Sequence, residues 1–185
     1  MFDIVKYLDG VERESSITDG EVRWLYKLCL HHVPGGGLFL ELGLLHGRSA
    51  CMFAYLAATK KGSYIGVDNF RCGRNSLREV VGYLDERGLL SWATIIESDT
   101  QSLTFEREVD FLHIDADHSS PGIDADVNKY VPLVKPGGIV AFDDYTQYDG
   151  EPSYPDIARA ANAVCANSNW MDLGTVDGMK CFRRV

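Results

Sequence analysis

The strongest constraint on this chain is a set of short runs whose apolar residues are consecutive rather than alternating. They are 37–42 (GLFLEL), 63–68 (SYIGVD), 93–97 (ATIIE), 109–115 (VDFLHID) and 138–143 (GIVAFD). A strand with one wet face alternates apolar and polar residues, whereas a strand covered on both faces does not. These runs therefore predict parallel strands sandwiched between helices. Most of them end on an acid.

Helical patterns fill the gaps. Segment 47–59 (GRSACMFAYLAAT) is apolar nearly all round, as expected of a buried helix. Segments 74–88 and 124–134 follow the second and fourth strands. The first ends at a capping Gly88 and the second is broken by Lys135-Pro136-Gly137-Gly138. Segment 100–108 is polar and short enough for only a turn or a short helix. Residues 1–32 read as a helical lead-in whose apolar face carries Trp24, Leu25, Leu28 and Leu30. A loop rich in Tyr, Pro and Gly occupies 145–155, and a helix is expected over 156–167. Two short runs, 170–176 and 179–183, flank Asp177-Gly178, a dipeptide that favours a hairpin turn. Strands alternating with helices give an open, doubly wound α/β fold. At 185 residues the chain suits one domain, 1–185, with 1–34 as the lead-in and 35–185 as the core.

Charge narrows the partners. The net charge is -9, which disfavours a protein built to grip nucleic-acid phosphates or an anionic membrane. The excess is local: residues 97–156 hold 14 acids against Arg107, Lys129 and Lys135. Five cysteines without a CxxC pair, two of them (Cys29 and Cys51) inside apolar runs, read as reduced thiols of a cytoplasmic protein. No basic start is followed by a long apolar run, and no stretch nears the roughly 20 residues that cross a bilayer.

The segment Glu41-Leu-Gly43-Leu-Leu-His-Gly47-Arg-Ser49 joins the first strand to the first core helix. Glycines there let backbone approach a ligand. A dinucleotide site would show GxGxxG with pyrophosphate on the helix N-terminus. This loop is GxxxG after an acid, which suits a cationic amine better than a pyrophosphate. Asp68, at the end of the second strand, is placed to accept from ribose hydroxyls, and Ser98-Asp99, after the third, from an adenine amino group. Without a ligand the same residues make an ordinary strand-to-helix turn.

ELGLLHGRS, the Val67-Asp68 and Ser98-Asp99 pairs, and LVKPGGIVAFDDY together resemble the motifs of the class I S-adenosylmethionine-dependent methyltransferases, over residues 35–185. The resemblance implies a Rossmann-like sheet of seven strands, mostly parallel with an antiparallel last strand and helices on both faces. It also implies cofactor contacts at Glu41, Gly43, Gly47, Ser49, Asp68, Asn69, Ser98, Asp99 and Asp115. Glu41 and Gly43 would meet the amino-acid part, Asp68 the ribose and Asp99 the adenine.

Two acid sets remain, Asp115-Ala-Asp117-His118 and Asp143-Asp144. Carboxylates converging from adjacent strand ends suit an oxygen-loving cation such as Mg²⁺. They are equally at home capping turns. The pattern DADHS…KPGGIVAFDDY resembles the cation-dependent O-methyltransferases, closest to their sugar-type and family-24 bacterial members. That resemblance places metal ligands at Asp115, Asp143 and Asp144. His118 stands where catechol- and caffeoyl-type members carry a lysine. It and Asp117 are the candidate general bases, beside Asp115 in the catalytic set. Tyr145, Tyr148 and Tyr154 suit either an aromatic lid over a substrate or ordinary surface packing, and His113 reads as a satisfied core residue. The expected activity is methylation of a small hydroxylated acceptor, with neither nucleic acid nor membrane as partner and homo-oligomerisation left open. A protein that binds S-adenosylmethionine or S-adenosylhomocysteine without transferring methyl is the alternative.

Overall fold

The computed structural model describes residues 2–11, 17–73, 76–146 and 154–185. In chain order the elements are α1 (Ile4–Tyr7), α2 (Asp19–His32), β1 (Leu38–Leu42), α3 (Arg48–Lys60), β2 (Ser63–Asp68), α4 (Leu77–Glu86), β3 (Ala93–Glu97), β4 (Val109–Ile114), α5 (Ser120–Tyr130), β5 (Val134–Phe142), α6 (Pro155–Cys165), β6 (Trp170–Val176) and β7 (Met179–Arg184). They build one seven-stranded sheet in the order β3-β2-β1-β4-β5-β7-β6. The first five strands are mutually parallel, and β7 runs antiparallel to both β5 and β6. The expected sheet, its antiparallel last strand and the terminal hairpin are all present.

Successive side chains alternate between two apolar layers. Phe39, Phe111, Ile139 and Cys181 pack under α1–α4 with Leu25, Cys29 and Phe53. Leu40, Leu112, Val140 and Phe182 pack under α5 and α6 with Ile123 and Ile157. With both faces covered, β1 and β4 are buried at every position. This is the physical origin of their unbroken apolar sequence.

Several boundaries differ from expectation. On α2 the buried face is Val22, Leu25 and Cys29, at helical spacing, while Leu30 is exposed. That helix begins with a capping box in which the Thr18 hydroxyl accepts from Glu21 N–H and Glu21 accepts from Thr18 N–H. Its C-terminal carbonyls are held by Lys60 Nζ, which donates to Leu30 and Val33. α5 starts and ends four residues earlier than the pattern 124–134. Pro121 sits in its first turn, and Pro132, which lacks an N–H, occupies a 3₁₀ turn that leads into β5. Lys135-Pro136-Gly137 belongs to β5 itself, opposite a register shift between Val109 and Phe111. Segment 100–108 contains no helix. No described helix is long and apolar enough to cross a membrane. Cys29, Cys51 and Cys181 are buried free thiols.

β1 and β4 adjoin at the point where strand order reverses. Crossovers from β1 run toward β2 and β3, and the chain then returns to β4 on the other side. Ligands in open α/β sheets bind outside the carboxyl ends of such strands. The ladder extends past the strand ends there: Asp115 N–H donates to the Leu42 carbonyl (2.8 Å) and Asp143 N–H to that of Ile114 (3.1 Å). The loops that carry the candidate residues are thus fixed by the sheet.

Candidate functional site

A cleft of about 600 Å³ opens at these strand ends. It is lined by Gly43 and Leu45 after β1, Asp68 and Asn69 after β2, and Ser98, Asp99 and Thr100 after β3. Asp115, Asp117 and His118 after β4 and Asp144 after β5 complete the strand-end residues.

The glycine loop is shaped by Asp68. Its carboxylate accepts from Leu44 N–H (2.8 Å) and Leu45 N–H (3.3 Å) through one oxygen, and from Phe70 N–H (2.6 Å) through the other. A carboxylate has about four acceptor positions, and three of those of Asp68 are used in tying the loop to the end of β2. Gly43 has φ +85°, and a Cβ there would run into the Asp115 carbonyl. Only glycine fits, and the cleft floor is backbone at that point. Gly47, at φ +82°, caps α3 without a side-chain bond and has Val80 of α4 against it. Leu45 also adopts a left-handed backbone, at φ +43°. On the loop after β3, Asp99 accepts from Gln101 N–H (2.8 Å) and the Ser98 hydroxyl donates to the Asp99 carbonyl (3.1 Å).

Not every expected cofactor residue faces the cleft. Glu41 is wholly buried between β2 and β4, where it accepts from the Tyr64 hydroxyl and pairs with His113 Nδ1 at 3.0 Å. The next residue on the strand, Leu42, points to the opposite layer, so strand alternation turns Glu41 into the helix-covered face. Its carboxylate builds an interior network rather than the cleft wall. Burial alone would lower the His113 pKa. The Glu41 hydrogen bond and charge outweigh it and leave the imidazole raised. His113 is only half satisfied, since its Nε2 is buried without a partner. Ser49 lies buried on α3, and neither it nor Gly47 is among the lining residues.

The second cluster is also rearranged from expectation. Asp115, His118 and Asp144 each bring one ligand atom within 4.8 Å of the others, a set able to hold a cation. His118 Nε2 lies 3.4 Å from Asp115 and 3.3 Å from Asp144. The hydrogen bond to Asp115 raises the His118 pKa, against partial burial and with added help from the charges of Asp115, Asp144 and Asp117. Burial, and then Asp115, raise that of Asp144, whose backbone is left-handed at φ +56°. Asp143 sits one layer deeper and accepts from Asp144 N–H (2.8 Å). Burial, then the charges of Asp115 and Glu21, push its carboxyl well above the usual range. Two carboxylates and an imidazole at the surface, with a third carboxylate behind, form a donor set suited to a divalent cation. Asp117 instead braces its loop, accepting from Ser119 N–H (2.9 Å) and packing on Gly122 of α5.

Of the three tyrosines, Tyr154 lines the cleft and stacks on His118, with ring centroids 4.4 Å apart and planes 12° from parallel. Tyr145 turns away, donating to Asn162 of α6 (2.9 Å). Tyr148 lies outside the described residues. Glu21 was not foreseen as part of this region. It accepts from Gly178 N–H (2.8 Å) and so ties α2 to the β6–β7 turn. Its sequence signal was the Thr18-Glu21 spacing of a capping box, which reveals the local bond but not the distant one.

A family model described as a methyltransferase domain matches residues 40–145, more than half of the chain. No curated protein matches the sequence. Among solved structures, the S-adenosylhomocysteine-bound methyltransferase PaMTH1 of Podospora anserina aligns at TM-score 0.74 and 14% identity, covering 99% of this chain and 88% of that one. The O-methyltransferase TomG of Streptomyces achromogenes, solved with S-adenosylmethionine, aligns at 0.71 and 15%, covering 100% and 91%. CalS11, a TDP-rhamnose 3'-O-methyltransferase of calicheamicin biosynthesis, aligns at 0.63 and 19%, covering 88% and 76%. At such identities the likeness is one of fold.

Proposed function

Since the chain belongs to a family of methyltransferase domains, we propose that it moves the methyl group of S-adenosylmethionine to a hydroxyl of a small acceptor. The observation that carries this reading is the adjacency of two built features in one cleft. One is the backbone-floored loop around Gly43 with Asp68 and Asp99. The other is the Asp115–His118–Asp144 group. The solved O-methyltransferases TomG and CalS11, which share the fold, support the choice of oxygen as acceptor.

Asp68 holds the ribose, Asp99 and Ser98 face the adenine, and Gly43 lets the amino-acid part approach the β1 end. The acceptor oxygen attacks the sulfonium methyl in line; an O–C bond forms as the C–S bond breaks, and the hydroxyl proton must leave. His118 lines the cleft with its ring stacked on Tyr154, and in its neutral form, with Nε2–H donating to the carboxylates, Nδ1 is the nitrogen that takes the proton. The protein's main contribution is alignment of the two reactants. Asp115 and Asp144 are the residues that would hold a divalent cation, and Asp143 would join them only by turning out of the interior. Such an ion lowers the pKa of a bound hydroxyl.

The test is transfer of labelled methyl to a panel of vicinal diols and sugars, with and without EDTA. Transfer that is lost in EDTA and restored by Mg²⁺ is the expected result. Full transfer in EDTA removes the metal role. Tight cofactor binding with no transfer to any acceptor instead favours a binding protein.

A further inference from the structure

Asp126 is a buried acid that the fold leaves unpaired. Its side chain, on α5, is fully buried, and neither carboxylate oxygen makes a hydrogen bond among the described residues. Thr100 and Lys129 favour its charged form, against burial and the charges of Asp117 and Asp99. Of these neighbours, Asp99, Thr100 and Asp117 line the cleft. A buried carboxylate without partners costs stability.

The same face of α5 serves the same loop. Lys129 Nζ donates to the carbonyls of Thr100 (2.9 Å) and Gln101 (3.0 Å), and the Tyr130 hydroxyl donates to that of Thr100 (2.6 Å). The segment between β3 and β4 has no helix of its own, and α5 supplies the side-chain bonds that hold it at Thr100 and Gln101. A loop held only at its ends would have to be ordered by the ligand, at a cost in affinity.

We propose that Lys129 and Tyr130 are positioning residues for the adenine side of the cleft. From α5 they fix the loop backbone by bonding the carbonyls of Thr100 and Gln101. The proposal rests on the cleft being the S-adenosylmethionine site.

Calorimetric titration of S-adenosylhomocysteine at pH 8, with urea unfolding of the same preparations, tests it. Asp126→Asn, whose carboxylate makes no hydrogen bond to the loop among the described residues, is expected to change the urea midpoint and to bind within about twofold of the unaltered protein. Lys129→Met and Tyr130→Phe are each expected to bind about five- to tenfold more weakly, the scale of one lost polar contact. With a methyl acceptor, KM for the cofactor rises by the same factors while kcat stays within about twofold. A purely structural role for Lys129 and Tyr130 would change stability and leave affinity alone. Lys129→Met and Tyr130→Phe binding as tightly as the unaltered protein therefore overturns the proposal, as does a loss confined to kcat. If the unaltered protein binds no S-adenosylhomocysteine, the cofactor reading fails first and the proposal falls with it.

Discussion

Replacing Asp126 by asparagine keeps the shape of the side chain and removes its charge. In the folded protein burial pushes this carboxyl up from 3.8 to about 6. The folded-state pKa exceeds the unfolded one, so ionisation opposes folding. The penalty is complete above about pH 7, shrinks as pH falls through about 6, and is gone below the unfolded value. A shift of about 2 units at 1.36 kcal/mol each gives ~3 kcal/mol. The buried amide carries its own cost of about 1–3 kcal/mol, but that cost does not depend on pH. The clean quantity is therefore the difference in unfolding free energy between variant and unaltered protein, taken at pH 8 and again at pH 3.5. It should move by ~3 kcal/mol in favour of the variant at pH 8. Urea unfolding monitored by circular dichroism measures it, provided the slope against urea is the same for both proteins. A difference that is equal at both pH values, or that favours Asp126 at pH 8, would refute the reasoning.

Other perturbations separate interior from cleft. Gly43→Ala should abolish detectable S-adenosylhomocysteine binding, because its Cβ meets the Asp115 carbonyl at a left-handed backbone; binding within twofold of the unaltered protein would contradict the placement of that loop. Glu41→Gln should cost about 3–5 kcal/mol in urea unfolding, since it breaks the buried contacts to Tyr64 and His113; a loss of cofactor affinity without a loss of stability would return Glu41 to the cleft. Asp115→Asn should lower the His118 pKa, as followed by NMR in metal-free protein, because Asp115 is the main cause of its rise. An unchanged titration would mean that the Asp115–His118 contact does not form in solution.

The strands were legible because burial on both faces leaves a signature in consecutive residues. β2 and β3 fall on 63–68 and 93–97 as expected. Helix ends were less legible. The limits of α5 depend on Pro121 and Pro132 acting in turns whose geometry is tertiary. Within the site, the acids at or just past a strand end, Asp68, Asp99, Asp115 and Asp144, all line the cleft. Acids of the opposite parity do not. Glu41 lies one residue inside β1 on the face of Phe39, and Asp143 lies one residue before Asp144 and under it. The two-residue period of a strand would have separated these cases. Tyr64 and His113, the partners of Glu41, and Glu21, whose charge bears on Asp143, come from elements distant in sequence. Asp126 carried no sequence signal at all, since an acid in the polar-looking helix SPGIDADVNKY reads as solvated.

The account stands most directly on what occupies the cleft. Calorimetric titration of S-adenosylhomocysteine into the purified protein, with NAD as the competing ligand, is the decisive measurement. The account predicts saturable binding of S-adenosylhomocysteine at one site per chain, weakened at least tenfold by Asp68→Ala, and no binding of NAD at the same concentrations. Binding of NAD in preference to S-adenosylhomocysteine, or binding that Asp68→Ala leaves unchanged, would contradict it.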